Sequence, residues 1–204
     1  MANVFLISRM ALSDQAVTIL KEKNIWREEC PVHHSRLVLL DVPFINFDGF
    51  AQIGQIMVLD TIKEEVQQIF KELANRFFPI HSISLINEFD GDDVASMNAN
   101  NSSAYNGRQI MNTNRWSSHA YGVAIDINPR QNPYLLFDQA NNSIKVLPDN
   151  ALPFVNRTVL KEGMVEPIVD LFAAYGFTEW GGRWDNKPDY HHFQLPWDKI
   201  DTLF

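Results

Sequence analysis

Two short segments of this 204-residue chain carry side chains whose types and spacing suit them to chemistry. In RWSSHAYGVAIDINPRQNPY, residues 115 to 134, His119 and Asp126 stand seven positions apart with small or apolar residues between them. On one helix they would share a face but lie ~10 Å apart along the axis. On one straight strand they would be more than ~20 Å apart. Ligands of one zinc ion each sit ~2 Å from it, so neither geometry lets both side chains serve the same metal. If they converge, the backbone bends between them, and Gly122 is where a bend costs least. Beyond Gly122 the alternation is that of a strand. Val123, Ile125 and Ile127 face a core, while Gly122, Ala124 and Asp126 share the other face and leave the carboxylate beside two minimal side chains. Asn128-Pro129 ends the strand, because proline cannot donate to a ladder. Taken alone, such a pair reads most simply as a surface aspartate at a strand end and a polar loop histidine.

The second segment, DYHHF, shifts that balance with Asp189, His191 and His192. A strand would place Asp189 and His191 on one face and His192 on the other, whereas a helical turn or bulge would bring Asp189 and His192 together. The sequence leaves both open. His119, Asp126 and one further histidine would make three protein ligands with a fourth position for water, the pattern of catalytic zinc. A spare carboxylate nearby would then be a natural general base. Cys30 is the single cysteine, which rules out a cysteine-rich zinc site and an intrachain disulfide.

The elements that must position these groups read as α+β. SDQAVTILKEKN (13 to 24) predicts a short amphipathic helix capped by Ser13, with Val17, Ile19 and Leu20 on one side. RLVLLDVPF and QIGQIMVLD predict two strands joined through FDGFA. A helix follows from Thr61, with Thr61 and Glu64 as a capping box and Ile62, Val66, Ile69, Phe70, Leu73 and Phe77 as its core face. FPIHSISLI reads as a strand, and the polar stretch 87 to 109 as a functional or disordered loop. A second helix spans roughly 164 to 175, with Pro167 in its first turn and Gly176 as its stop.

Composition narrows the classes of function. With 46% hydrophobic and 21% charged residues, the chain reads as an ordinary globular protein. A formal charge of -8 without a Lys/Arg cluster argues against a nucleic-acid partner. No run approaches the ~18 apolar residues of a membrane span. The opening MANVFLISRMALSDQ lacks the basic start and long apolar core of a convincing signal peptide.

SSHAYGVAIDINP followed by WGGRW and DYHHF resembles the M15 family of zinc metallopeptidases, the D-alanyl-D-alanine carboxypeptidase and L-alanyl-D-glutamate endopeptidase group. The family signature is S-x-H-x-x-G-x-A-x-D and then D/E-x-x-H. Ser117, His119, Gly122, Ala124 and Asp126 fill the first element, and Asp189 and His192 the second. The resemblance implies one zinc per chain held by His119, Asp126 and His192, Asp189 as the catalytic base, and Arg108 meeting a substrate carbonyl or carboxylate. It implies a central antiparallel sheet with flanking helices, resembling the Hedgehog/DD-peptidase fold, over residues 36–204, with 1–35 as an N-terminal extension. Peptidoglycan or its stem peptides are the implied partner, which points to the cell envelope, periplasm or exterior, or to a lysin made in the cytoplasm. A non-catalytic, zinc-containing cell-wall peptide-binding module is the competing expectation; its sign would be loss of the base, and Asp189 is present. A purely structural zinc domain is disfavoured by the three-ligand set. His191 reads as a neighbour or substrate contact rather than a fourth ligand, His33, His34 and His81 as structural, and Trp180 and Trp184 as packing beside the site.

Overall fold

The structure, a computed structural model, describes residues 9–138 and 141–204; the apolar run of the N-terminal segment lies for the most part outside the described residues. The chain opens with β1 (Arg9–Ala11) and α1 (Asp14–Glu22). Ser13 caps α1 as expected, its side chain accepting from the Ala16 amide, and Val17 and Leu20 are buried. Then β2 (Leu37–Ile45) and β3 (Ala51–Leu59) form a long antiparallel hairpin, with β1 on the outer edge of β2. Asn46 closes the hairpin, since its side-chain oxygen accepts from the Asp48 and Phe50 amides, and Gly49 supplies the left-handed residue at φ +81°.

Helix α2 (Lys63–Asn75) packs across β2 and buries Val66, Ile69, Phe70 and Leu73. Its start differs from the capping box expected at Thr61. A 3-10 turn over Asp60–Ile62 precedes it, and Ile62 stands at the N-cap with no side-chain cap hydrogen bond. That turn drives Ile62 into the core. The far end differs too. Phe77 leaves the helix in the left-handed region at φ +56° and is 72% exposed, while Phe78 turns inward in its place.

The polar stretch 87 to 109 is built rather than loose. It contains part of a 3-10 turn at Ile86–Phe89, then α3 (Asp93–Asn98) and β5 (Asn101–Ser102), which pairs in parallel with β4 (Ser82–Ile83). The expected strand at FPIHSISLI is therefore only two residues long. Asp92 caps α3 by accepting from the Val94 and Ala95 amides, a signal easily lost among so many Asn, Ser and Asp residues.

The C-terminal half follows. β6 (Ala124–Asp126) is separated from β10 (His192–Gln194) by the hairpin of β7 (Tyr134–Asp138) and β8 (Ser143–Leu147), by α4 (Val169–Ala174) and by β9 (Glu179–Trp180). The order in space is β6-β10-β9, and α5 (Trp197–Ile200) closes the chain. Instead of one central sheet, the described residues form a mixed fold with two antiparallel three-stranded sheets, a parallel pair and a separate hairpin. The two larger sheets are tied where the Leu59 amide, ending β3, donates to the Gly122 carbonyl at 2.9 Å. One apolar core runs through both halves. It joins Leu40, Val58 and Phe70 to Val123, Ile125, Ile127 and Phe193, with Phe172 of α4 stacked on Phe193 at 4.0 Å between ring centroids. Leu20, Ile25, Trp26, Cys30 and Val32 belong to that same core.

Candidate metal centre and substrate cavity

The bend expected between His119 and Asp126 is a 3-10 turn over Ser118–Tyr121 that ends at Gly122 with φ +69°. Ser117 caps the turn, its side chain accepting from the His119 amide. Gly122 is needed for space as well as for conformation, because a Cβ there would lie 2.7 Å from the Leu59 backbone nitrogen. Gly122→Ala should therefore cost roughly 1–3 kcal/mol, read as a lowered midpoint in thermal or urea denaturation. An unchanged midpoint would mean that the junction relaxes freely.

Asp126 ends β6 and faces its partner directly across the antiparallel ladder, since His192 pairs in register with Asp126, Phe193 with Ile125 and Gln194 with Ala124. Ser103 clamps the other edge, exchanging both backbone hydrogen bonds with Asp126. The turn at Gly122 swings His119 back over this pair. His119 Nε2 then lies 3.1 Å from His192 Nδ1 and 3.3 Å from Asp126 Oδ2, and His192 Nδ1 lies 3.0 Å from Asp126 Oδ1. All three side chains are buried, and their donor atoms lie within 4.8 Å of one another. Among the described residues, no second group of three or more His, Cys, Asp or Glu side chains has this geometry.

The outward-facing nitrogens fix the tautomers. His119 Nδ1 donates to the Ala104 carbonyl at 2.5 Å, and His192 Nε2 donates to Gln194 Oε1 at 2.9 Å. Gln194 is itself oriented by donating to Glu179 Oε2 at 2.8 Å. With those protons committed outward, two imidazole lone pairs and a carboxylate converge on one point, a donor set suited to a cation and especially to zinc. Without a cation at that point, the three groups act on one another instead. Burial alone would raise the Asp126 carboxyl, but His119 and His191 outweigh it and hold the group well below the usual carboxylate range. Burial lowers His192, yet the Asp126 carboxylate more than offsets this and leaves it above its ordinary value.

The cluster opens onto a cavity of about 730 Å³ that also holds Asp189, Arg108, Tyr134 and Trp184. Asp189 sits at the turn that leads into β10, where the His192 amide donates to the Asp189 carbonyl at 3.3 Å. Of the two arrangements the sequence left open, the backbone adopts the turn, with strand geometry beginning only at His192, yet the ring set against the Asp189 carboxylate is that of His191. Gly181 packs so closely that a Cβ there would lie 2.5 Å from the Asp189 carbonyl oxygen. Arg108 is half-buried, not the exposed loop residue its surroundings suggest, and its guanidinium pairs with Asp93 at 2.7 Å. Tyr134 lines the same cavity: burial and the Asp189 carboxylate raise its phenol while Arg108 pulls it back, so it stays neutral. A smaller cavity of about 340 Å³, lined by Lys23, Arg27 and Asp90 among others, meets Arg108 but none of the His/Asp cluster. His33 and His34 pack on the Trp26 ring, and His81 lies outside the cavity lining. Trp184 lies 5.2 Å from the His192 ring, whereas Trp180 stacks on Phe193 in the core.

Residues 111–195 match a family model described as D-alanyl-D-alanine carboxypeptidase, of the M15 peptidases. This segment is similar to the M15 peptidases. No curated protein and no solved structure matches the chain. The M15 segment contains His119, Asp126, Asp189 and His192, while Arg108 precedes it and rests on its place in the cavity. Peptide hydrolysis is thereby the class of chemistry to which the segment points. Among the described residues, no helix is long and apolar enough to cross a membrane.

Several supporting groups of the M15 segment and its surroundings escaped the sequence. Gln194 follows His192 by two positions on a strand, so period-two alternation alone places them on one face, and this signal was available. Ala104 and Ser103 act through backbone atoms, which residue type does not advertise. Asp93 reaches Arg108 only because α3 exists.

Proposed function

We propose that the protein is a zinc-dependent peptidase that hydrolyses peptidoglycan stem peptides, as a D-Ala-D-Ala carboxypeptidase or an L-Ala-D-Glu endopeptidase. The observation that carries this reading is the convergence of His119 Nε2, His192 Nδ1 and the Asp126 carboxylate on one point beside a cavity that also holds Asp189 and Arg108. His119, Asp126 and His192 would hold one zinc ion per chain, and that ion would supply Lewis acidity and a lowered water pKa. The remaining work belongs to the chain. The Asp189 carboxylate takes a proton from the attacking water and returns it to the leaving amine as the C–N bond breaks, serving as base and then as acid. The Arg108 guanidinium, aimed by Asp93, stabilises the developing oxyanion or holds a terminal carboxylate. The neutral Tyr134 phenol lines the same cavity and offers a further donor. A cell-wall substrate would put the working enzyme at the cell envelope or outside the cell.

The deciding experiment is digestion of purified peptidoglycan by the zinc-loaded protein, with the products identified by mass spectrometry. Free D-alanine is expected from the carboxypeptidase and stems cut after L-alanine from the endopeptidase. Binding to peptidoglycan without release of any fragment would replace the enzyme with a recognition module.

Arg108→Ala should lower turnover by roughly 10² to 10³-fold, the usual worth of an oxyanion donor. Its melting temperature should fall far less, because the pair with Asp93 is about one-third exposed on each side. Normal turnover in the folded variant would remove Arg108 from the reaction.

A further inference from the structure

Asp189 is not held by its backbone alone. His191, 3% exposed, turns its ring toward the cavity wall between two carboxylates, with Nε2 3.0 Å from Asp189 Oδ1 and 3.9 Å from Asp126 Oδ2. The nearer contact is an ion pair by distance without the alignment of a good hydrogen bond. The opposite ring nitrogen is firmly engaged, Nδ1 donating to the Asn132 carbonyl at 2.7 Å, and with a carboxylate oxygen 3.0 Å away Nε2 carries a proton as well. Asn132 is fully buried and pinned in turn. Its side-chain oxygen accepts from Arg157 Nη2 at 2.9 Å and from the Val165 amide at 3.0 Å, and its amide nitrogen donates to the Gly163 carbonyl at 2.9 Å. Arg157 is clamped by both carboxylate oxygens of Glu166. The His191 carbonyl accepts from the Ile127 amide at 3.0 Å, one residue beyond Asp126. A rigid support therefore ends in one nitrogen that faces both acids.

We propose that His191 is a positioning residue for Asp189: braced by Asn132 and Arg157, it holds the base carboxylate toward the cavity and separates it from the ligand carboxylate of Asp126. This rests on the reading of Asp189 as the base. Two carboxylates that approach the same atom within 4 Å repel each other unless a positive or proton-bearing group lies between them. Without the His191 nitrogen, Asp189 relaxes toward solvent through its partly exposed edge.

The test is a double-mutant cycle of His191→Phe with Asp189→Ala in the zinc-loaded protein, with metal content measured for each variant. His191→Phe keeps an aromatic ring and removes both nitrogens. It is expected to retain one zinc, to keep KM, and to lose about 10- to 100-fold in kcat, the range for a supporting residue around a metal site. In the Asp189→Ala background the same change should cost no more than about 2-fold, because residues acting through one another are not additive. His191→Gln, whose amide reaches the position of Nε2, should restore most of the loss. In crystals of the metal-free proteins, the Asp189 carboxylate should shift in His191→Phe by more than the ~0.5 Å within which such groups must be held. If His191→Phe does not fold, His191→Asn, too short to reach Asp189, takes its place in every arm. Full additivity, wild-type kcat, an unmoved carboxylate, or equal loss of zinc in the Phe and Gln variants would each overturn the proposal. If Asp189→Ala alone kept wild-type turnover, the base assignment would fall and the positioning role with it, whereas additivity in the presence of an inactive Asp189→Ala removes only the role of His191.

Discussion

Asp189→Ala is expected to fold, to bind one zinc, and to hydrolyse stem peptides ~10² to 10⁴-fold more slowly, the contribution general acid-base catalysis makes. The fold is retained because the backbone of Asp189 carries the structural contacts: its amide donates to the Gly181 carbonyl at 2.9 Å and its carbonyl accepts from the His192 amide, and alanine keeps both. Zinc is retained because the carboxylate stands outside the group formed by His119, Asp126 and His192. Turnover falls because no other carboxylate in the cavity is equivalent. Asp126 is committed to the metal set, Asp93 to Arg108, and Asp185 is exposed at the rim. Elemental analysis and steady-state kinetics on one preparation check this together. A variant that lost its metal would make Asp189 a ligand and reopen the roles of Asp126 and His192.

His119→Ala should abolish stoichiometric zinc and, with it, activity. Changes around a metal's ligands already cost 10 to 100-fold in affinity, and loss of a ligand should exceed about 100-fold. The remaining pair, His192 and Asp126, would still touch at 3.0 Å, and the Ala104 carbonyl would lose its donor in the interior. Melting curves with and without a chelator give a readout independent of substrate. A ligand present at 100 times its Kd stabilises the native state by ~2.7 kcal/mol. For a chain of this length that amounts to roughly 5 to 10 °C. Wild type should lose that margin on chelation, and His119→Ala should show none to lose. Stoichiometric metal in both His119→Ala and His192→Ala would end the assignment.

What could be read from the sequence and what could not divides along physical lines. The bend at Gly122 was legible because His119 and Asp126 cannot converge on any regular element and only one glycine lies between them. The β2–β3 hairpin and the core face of α2 were legible because long periodic runs outvote local ambiguity. Phe77 was misplaced because periodicity does not announce where a helix ends, and a residue later the chain had reversed its face. The helix and short strand within 87 to 109 were missed because a six-residue helix buries too little to impose a pattern, and Asp92 as a cap looks like any other polar residue there. The split of the expected single sheet follows from strands of two or three residues, each defined by its partner rather than by its own composition. The alignment of His192 with Asp126 belongs to the same class: it is a relation between distant strands, and nothing within DYHHF states it.

That alignment also governs what the rest of the chain is free to do. Register along a ladder changes only in whole residues, and a shift of one would bring Phe193 opposite Asp126 and turn His192 out of the cluster. Insertions or deletions within 124–126 or 192–194 should therefore abolish the centre outright. The β7–β8 hairpin lies between these strands in sequence yet is not a strand pair of their shared sheet. Its outer end can lengthen or shorten without moving a ligand, so long as Tyr134 and Leu147 keep their places in the cavity lining. The donor set is thus fixed by arithmetic at one end of the fold, while the wall that meets the substrate is open to change at the other.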